Sequence, residues 1–163
     1  MSPSRRRPST PRGSNGETTE REQAARLQTA TYRISEAANA AEHLPELFRA
    51  IHGIISELMP ARNLYIALYD AEAGLLSFPY WVDEHDPPPA AHKLERGLTE
   101  YVLRTGQPLL ATPQVHEDLV RRGEADLIGA PSLDWIGVPL KAHDRTIGVL
   151  VAQTYTEGIR FGE

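Results

Sequence analysis

The side chains able to do chemistry in this chain are carboxylates, histidines and hydroxyl or ring groups, because its 163 residues include no cysteine. That absence removes disulfides, thiolate metal sites, thiol nucleophiles and thioether cofactor attachment together. No GxGxxG, GxxxxGK-S/T, HExxH or GxSxG string occurs, so phosphate cradles, zincin sites and nucleophile elbows have no support. The densest group of metal-ligating types is Asp83-Glu84-His85-Asp86, with His92 nearby. Neighbours in a proline-rich loop cannot all converge on one ion, so a solvated loop without metal is expected. His52 is followed by Gly53, not by the acidic partner a phosphoacceptor histidine needs, and reads as an ordinary helix residue. His143-Asp144 suits a turn, where both side chains bond the local backbone. No catalytic residue is assigned, and the chain is expected not to be an enzyme within these residues.

Charge and hydropathy narrow the partners. Four arginines against two glutamates make residues 1–20 net +2 and leave -7 for the rest of a chain whose total is -5. So acidic a body is a poor match for phosphate backbones, which need clustered Lys and Arg, so no nucleic acid is expected. No apolar run of 18 or more residues and no signal-peptide h-region are present, so no membrane contact and a cytoplasmic location are expected.

The elements that must position any site follow from periodicity. Residues 1–20, rich in Pro, Ser, Gly and Arg, are expected as a disordered basic tail. From Thr19 to Ala41 a helix is predicted, capped by Thr18 or Thr19, with Ala24, Leu27, Thr31, Ile34, Ala38 and Ala41 along one heptad stripe. Residues 21–42 are therefore taken as a dimerisation helix whose interface is Leu27, Thr31, Ile34 and Ala38. The same stripe packed on the domain's own sheet is the alternative. A second helix with a broad apolar stripe is predicted from Pro45 to Leu58. Asn63 to Asp70 and Leu75 to Val82 read as a hairpin, with Pro79 marking an edge or a bulge.

After a loop over residues 83–93, a helix is predicted from Leu98 to Arg104, ended by Gly106. A short strand from Pro108 to Ala111 and a short helix from His116 to Gly123 should follow, then loop to Ser132. A closing hairpin pairs Leu133 to Leu140 with Thr146 to Thr156. Its second run is apolar on both faces and should lie mid-sheet, with Ile147, Val149 and Val151 towards the terminal helices. This is an α+β layout around one antiparallel sheet.

Three segments carry a resemblance: NLYIALYD, GLTEYVLRTGQPLL and WIGVPLKAHDRTIGVLVAQTYTEGIRF. Together they resemble the GAF domain family, in the variety found ahead of bacterial histidine kinases and diguanylate cyclases. The resemblance implies a GAF (PAS-like) fold over residues 43–163, with a central antiparallel sheet of about five to six strands. Terminal helices would cover one face, and short helices and loops the other. It implies a non-catalytic regulatory sensor of a signal-transduction protein, acting as a homodimer, with any output enzyme beyond residue 163. The family's C-terminal helix would start past Arg160-Phe161, so the domain is expected to lack it.

The cofactor is left unidentified. The Asn-Lys...Phe-Asp-Glu signature of cyclic-nucleotide binders is missing, which argues against that ligand, and covalent bilin attachment and methionine sulfoxide reduction lack their cysteines. What the family layer implies is a small-molecule pocket over the sheet, for which the candidates here are Tyr65, Tyr69, Tyr80, Tyr101, Trp135 and Gln153. Simple core packing accounts for the same aromatics, and a bulge at Pro79 would change which of them face the pocket.

Overall fold

The computed structural model describes residues 14–162 of the chain. Helices α1 (Ser14–Ala40) and α2 (Leu44–Leu58) precede strands β1 (Asn63–Asp70), β2 (Leu75–Val82) and the two-residue β3 (His92–Lys93). Then come α3 (Leu98–Thr105), β4 (Leu109–Ala111), α4 (Pro113–Arg121), β5 (Asp134–Ala142) and β6 (Arg145–Thr154). All neighbours in the sheet are antiparallel, in the order β3-β2-β1-β6-β5-β4.

Strand β6 lies in the middle, hydrogen-bonded to β1 and β5, as its two apolar faces require. Gly148 serves the backbone of β1: an added Cβ would come within 2.3 Å of the Ala67 carbonyl oxygen. One face of the sheet carries α2, with Leu64, Ala152, Tyr80, Ile136 and Leu150 packed near Ile55 and Met59. The other carries α3 and α4, with Tyr65, Ala67, Trp135, Val149 and Val151 against Val102 and Leu103. Gly106 caps α3 in the left-handed region at φ 63, donating its N–H to the Val102 carbonyl.

Several expectations are corrected. Val149 and Val151 face α3, not the terminal helices, because two-residue alternation puts them beside Gln153. Ile147 is the residue left over where the β5–β6 register shifts after Leu140, and it is 42% exposed. Helix α4 begins three residues before the expected His116, because Thr112 caps it, accepting the Val115 N–H at 3.3 Å, and Pro113 fits the first turn. Helix α1 already runs from Ser14, so 14–20 are helical and Thr18 and Thr19 lie inside it; residues 1–13 of the expected disordered tail are outside the described residues.

The α1 stripe does not pack on the sheet. Helix α1 lies along α2, where Ala30 is buried and the Arg33 guanidinium forks onto Glu57, with one bond of 2.9 Å. Leu27 is 55% exposed, Thr31 and Ala38 are exposed, and Ile34 is half-buried. Helix α2 already occupies the sheet face that α1 would have needed.

Candidate functional site

Between the sheet and the 86–132 connections lies a cavity of about 440 Å³. Its floor is Tyr65 of β1, Phe78 and Trp81 of β2, Trp135 of β5 and Gln153 of β6. Pro87–Pro89, Leu127 and Ile128 form the opposite wall, and His92, Glu95, Thr99 and Glu100 one end. The size and the mixture of apolar walls with a few polar groups suit a small molecule.

The floor is rigid for identifiable reasons. Tyr65 and Trp81 stack with centroids 4.4 Å apart, and Phe78 meets Trp81 edge-on at 5.5 Å. The indole of Trp135 crosses Gly137, where an added Cβ would meet the ring at 2.2 Å, and its Nε1 donates to the Tyr65 hydroxyl at 3.2 Å. That hydroxyl also bonds Thr99 Oγ1 at 2.8 Å, tying the sheet to α3. Burial pushes the Tyr65 pKa up to about 12, so the phenol is neutral at physiological pH.

The Asp83–Asp86 loop is not merely solvated, as expected, but anchored. The Asp83 carboxylate accepts from Gln153 Nε2 at 2.6 Å, from the Tyr155 hydroxyl at 3.1 Å, and from the backbone N–H groups of His85 and Asp86. Burial, then the Asp83 charge, raises the Tyr155 pKa. Asn63 exchanges bonds with Glu84, the Trp81 indole donates to the Asp86 carbonyl at 2.9 Å, and Asp86 Oδ2 accepts the Ala130 N–H at 2.8 Å. The loop is thereby joined to both the floor and the far wall.

Of the six residues named from the sequence, Tyr65, Trp135 and Gln153 line the cavity. Tyr69 and Tyr101 pack on the same apolar cluster but do not line it. Tyr80 lies on the opposite face. There its hydroxyl meets His52 Nδ1 at 2.8 Å, while His52 Nε2 contacts the Ala61 carbonyl at 2.6 Å. A carbonyl only accepts, so Nε2 carries a proton and donates it to Ala61, while Nδ1 shares a hydrogen bond with the Tyr80 hydroxyl. His52 is therefore a structural bridge from α2 to β2.

The cause of the Tyr80 displacement is a bulge. Ile66 pairs with Tyr80 but Leu68 pairs with Ser77, so Phe78 and Pro79 together oppose Ala67. The extra residue turns Tyr80 towards α2 and brings Trp81 onto the floor beside Phe78. Trp81, Phe78 and Glu100 escaped the sequence reading, Asp86 and His92 entered it only as weighed metal ligands and not as cavity residues, and Pro79 was the local signal for Trp81.

These features define a domain whose antiparallel sheet carries α2 on one face and, on the other, α3, α4 and a cavity of small-molecule size. The GAF domain family model matches residues 41–163, and the chain belongs to that family. Similar solved structures include the GAF domain of a phosphoenolpyruvate-protein phosphotransferase from Coxiella burnetii, 18% identical, covering 86% of this chain and 82% of that one with a TM-score of 0.63. A methyl-accepting chemotaxis protein fragment is 16% identical over 80% and 85%, with a TM-score of 0.60. Free methionine-R-sulfoxide reductase from Neisseria meningitidis, in complex with its substrate, is 17% identical over 82% and 75%, with a TM-score of 0.61. Among curated proteins none matches. No helix among the described residues is long and apolar enough to cross a membrane.

Proposed function

We propose that the chain is a non-catalytic regulatory sensor module of a bacterial signal-transduction protein, working in the cytoplasm ahead of an output domain such as a histidine kinase or diguanylate cyclase. A small molecule would bind between the aromatic floor and the 86–132 wall. The observation that carries this reading is the 440 Å³ cavity, whose floor and wall are tied by Asp83 and Asp86. A ligand there touches both layers at once. Proteins of the same fold include a methyl-accepting chemotaxis protein and a free methionine-R-sulfoxide reductase in complex with its substrate, which supports the reading. Ligand control requires different affinities for two arrangements of paired α1 helices.

Native mass spectrometry of gently purified protein, with thermal melts across a metabolite panel in the presence of chelator, tests the ligand. A bound mass or a ligand-specific rise in Tm is expected, and its loss in Trp81→Ala ties it to the cavity. Protein with no bound molecule and no shift from any compound would end the ligand part.

A second reading, a ligand-free dimerisation scaffold, is favoured by the exposed Leu27 and Tyr32 of α1, 55% and 62% accessible. Under it the homodimer forms through α1, and changes in the cavity alter stability alone.

A further inference from the structure

The α3 end of the cavity holds a group of side chains that the aromatic floor does not explain. His92, Glu95 and Glu100 each offer one ligand atom, and the three atoms lie within 4.8 Å of one another. They come from different local structures: the short strand β3, the connection after it and the first turn of α3. We propose that these three residues form a binding site for one divalent transition-metal ion, with its open positions facing the cavity.

The imidazole is already committed to the tautomer a metal needs. His92 Nδ1 lies 2.8 Å from the Lys93 carbonyl oxygen, which can only accept, so the proton sits on Nδ1. The Nε2 lone pair is then free. An Nδ1–H held by a backbone carbonyl is the outer-shell arrangement that orients metal-bound histidines. Pairing of Leu76 with His92 and a tilted contact with the Phe78 ring, 5.5 Å between centroids, hold the imidazole in place.

The carboxylates supply the second argument. Glu100 is only 6% exposed, and its one hydrogen bond is from the Glu95 N–H to Oε1 at 3.3 Å. Among the described residues no buried side-chain oxygen is left unpaired, so Oε2, which takes no such bond, is open to the cavity. None of the residues lining the cavity is a lysine or arginine, although Asp86, Glu95, Glu100 and Asp126 all contribute to it. Asp126 has Arg96 at 3.6 Å and Asp86 accepts the Ala130 N–H, whereas buried Glu100 forms no ion pair among the described residues and Glu95 is exposed beside it. A carboxylate largely withdrawn from water is stabilised by an adjacent cation, and beyond the first turn of α3 the cavity lining offers Glu100 neither Lys nor Arg.

One nitrogen and two carboxylates fit Zn²⁺, Mn²⁺, Fe²⁺ or Co²⁺ better than Mg²⁺, which favours oxygen and retains water. Tetrahedral bonds of about 2.05 Å need ligand atoms about 3.3 Å apart, so atoms within 4.8 Å of one another must close by up to roughly 1.5 Å. Glu95 is exposed on a connection and is free to swing inward. Three protein ligands leave a coordination position for water or for an oxygen of a molecule in the cavity. In that respect the site deepens the sensor reading, but metal binding itself does not depend on it.

The test uses untagged full-length protein, stripped with chelator, dialysed and titrated with ZnCl₂ and MnCl₂ by calorimetry, with Co²⁺ absorption reporting the ligand geometry. One ion per chain is expected. His92→Ala and Glu95→Gln should each weaken binding at least tenfold, while His43→Ala, at the start of α2 on the other side of the sheet, should bind as the parent does. Absence of saturable binding, or binding by His92→Ala and Glu95→Gln as tight as the parent's, overturns the proposal. If Glu100→Gln fails to fold, the two more exposed variants decide. Because the metabolite melts are run with chelator, loss of the metal site and loss of the organic ligand are separate results.

Discussion

Trp135 Nε1 donates to the hydroxyl of Tyr65 at 3.2 Å, across the intervening strand β6. The bond joins the closing hairpin to the first, and Thr99 extends it into α3. Tyr65→Phe removes a buried two-partner hydroxyl and should cost about 1 kcal/mol, read by denaturant unfolding at neutral pH.

The same phenol sets an alkaline limit. Its folded pKa of about 12 lies above the ordinary 10.0, so its contribution is complete below pH 10 and is lost as pH rises towards 12. Wild-type stability should fall over that interval by roughly 2–3 kcal/mol from this group. Unfolding measured from neutral to high pH should show a shallower fall in Tyr65→Phe, with Tyr155, also raised, maintaining part of it.

Gly137 is where the Trp135 ring lies flat on the sheet. In Gly137→Ala the new methyl would meet the indole at 2.2 Å, a distance no side chain tolerates, so the ring must leave its site. A loss of about 1–3 kcal/mol is expected, with a red shift in tryptophan emission as the ring gains water. Unchanged emission and stability would mean that the ring does not occupy this position.

At the other end of the hairpin, Asp134 is 1% exposed and accepts from Arg160 Nε and Nη2 at 2.9 and 2.7 Å and from the Phe161 N–H at 2.7 Å. The Arg160 bond, with help from the Phe161 N–H and against the effect of burial, holds its pKa below 3.8. That contribution is present above pH 3.8 and lost as the pH falls below it. Arg160→Ala leaves the carboxylate buried without its cation, though Arg160 itself is half exposed, and should cost about 1–3 kcal/mol at pH 7. Acid unfolding should begin at a higher pH in this variant than in the parent.

For the proposed α1 interface, Ile34→Glu places a charge at the half-buried residue of an otherwise exposed stripe. If two copies pair there, light scattering should report monomers in the variant and dimers in the parent. A monomeric parent at micromolar concentration would rule that interface out.

Much of the architecture is legible one segment at a time. Strands 63–70 and 75–82 and helix 44–58 follow from alternation, from Pro45 in a first turn and from the glycine-containing turn between the strands. Together with the closing hairpin they identify the GAF fold. What a segment cannot display is the count of residues between hydrogen bonds on two different strands. Reading β2 as regular alternation leaves Tyr80 and Trp81 on the wrong faces, because the extra residue at Phe78-Pro79 exists only relative to Ala67.

The chain's own pattern therefore determined the elements other than β3, which lies in the stretch expected as loop, together with their order, the central place of β6 and the absence of thiol chemistry, all of which depend on residue type and local spacing. Tertiary structure decided which side chains share a cavity. It brought Trp81 rather than Tyr80 to the floor, bonded Asp83 to Gln153 seventy positions away, and set His92 beside Glu95 and Glu100. Those neighbours are fixed by strand pairing and by where the 86–132 connections cross the sheet, and neither is encoded in the periodicity of any one segment.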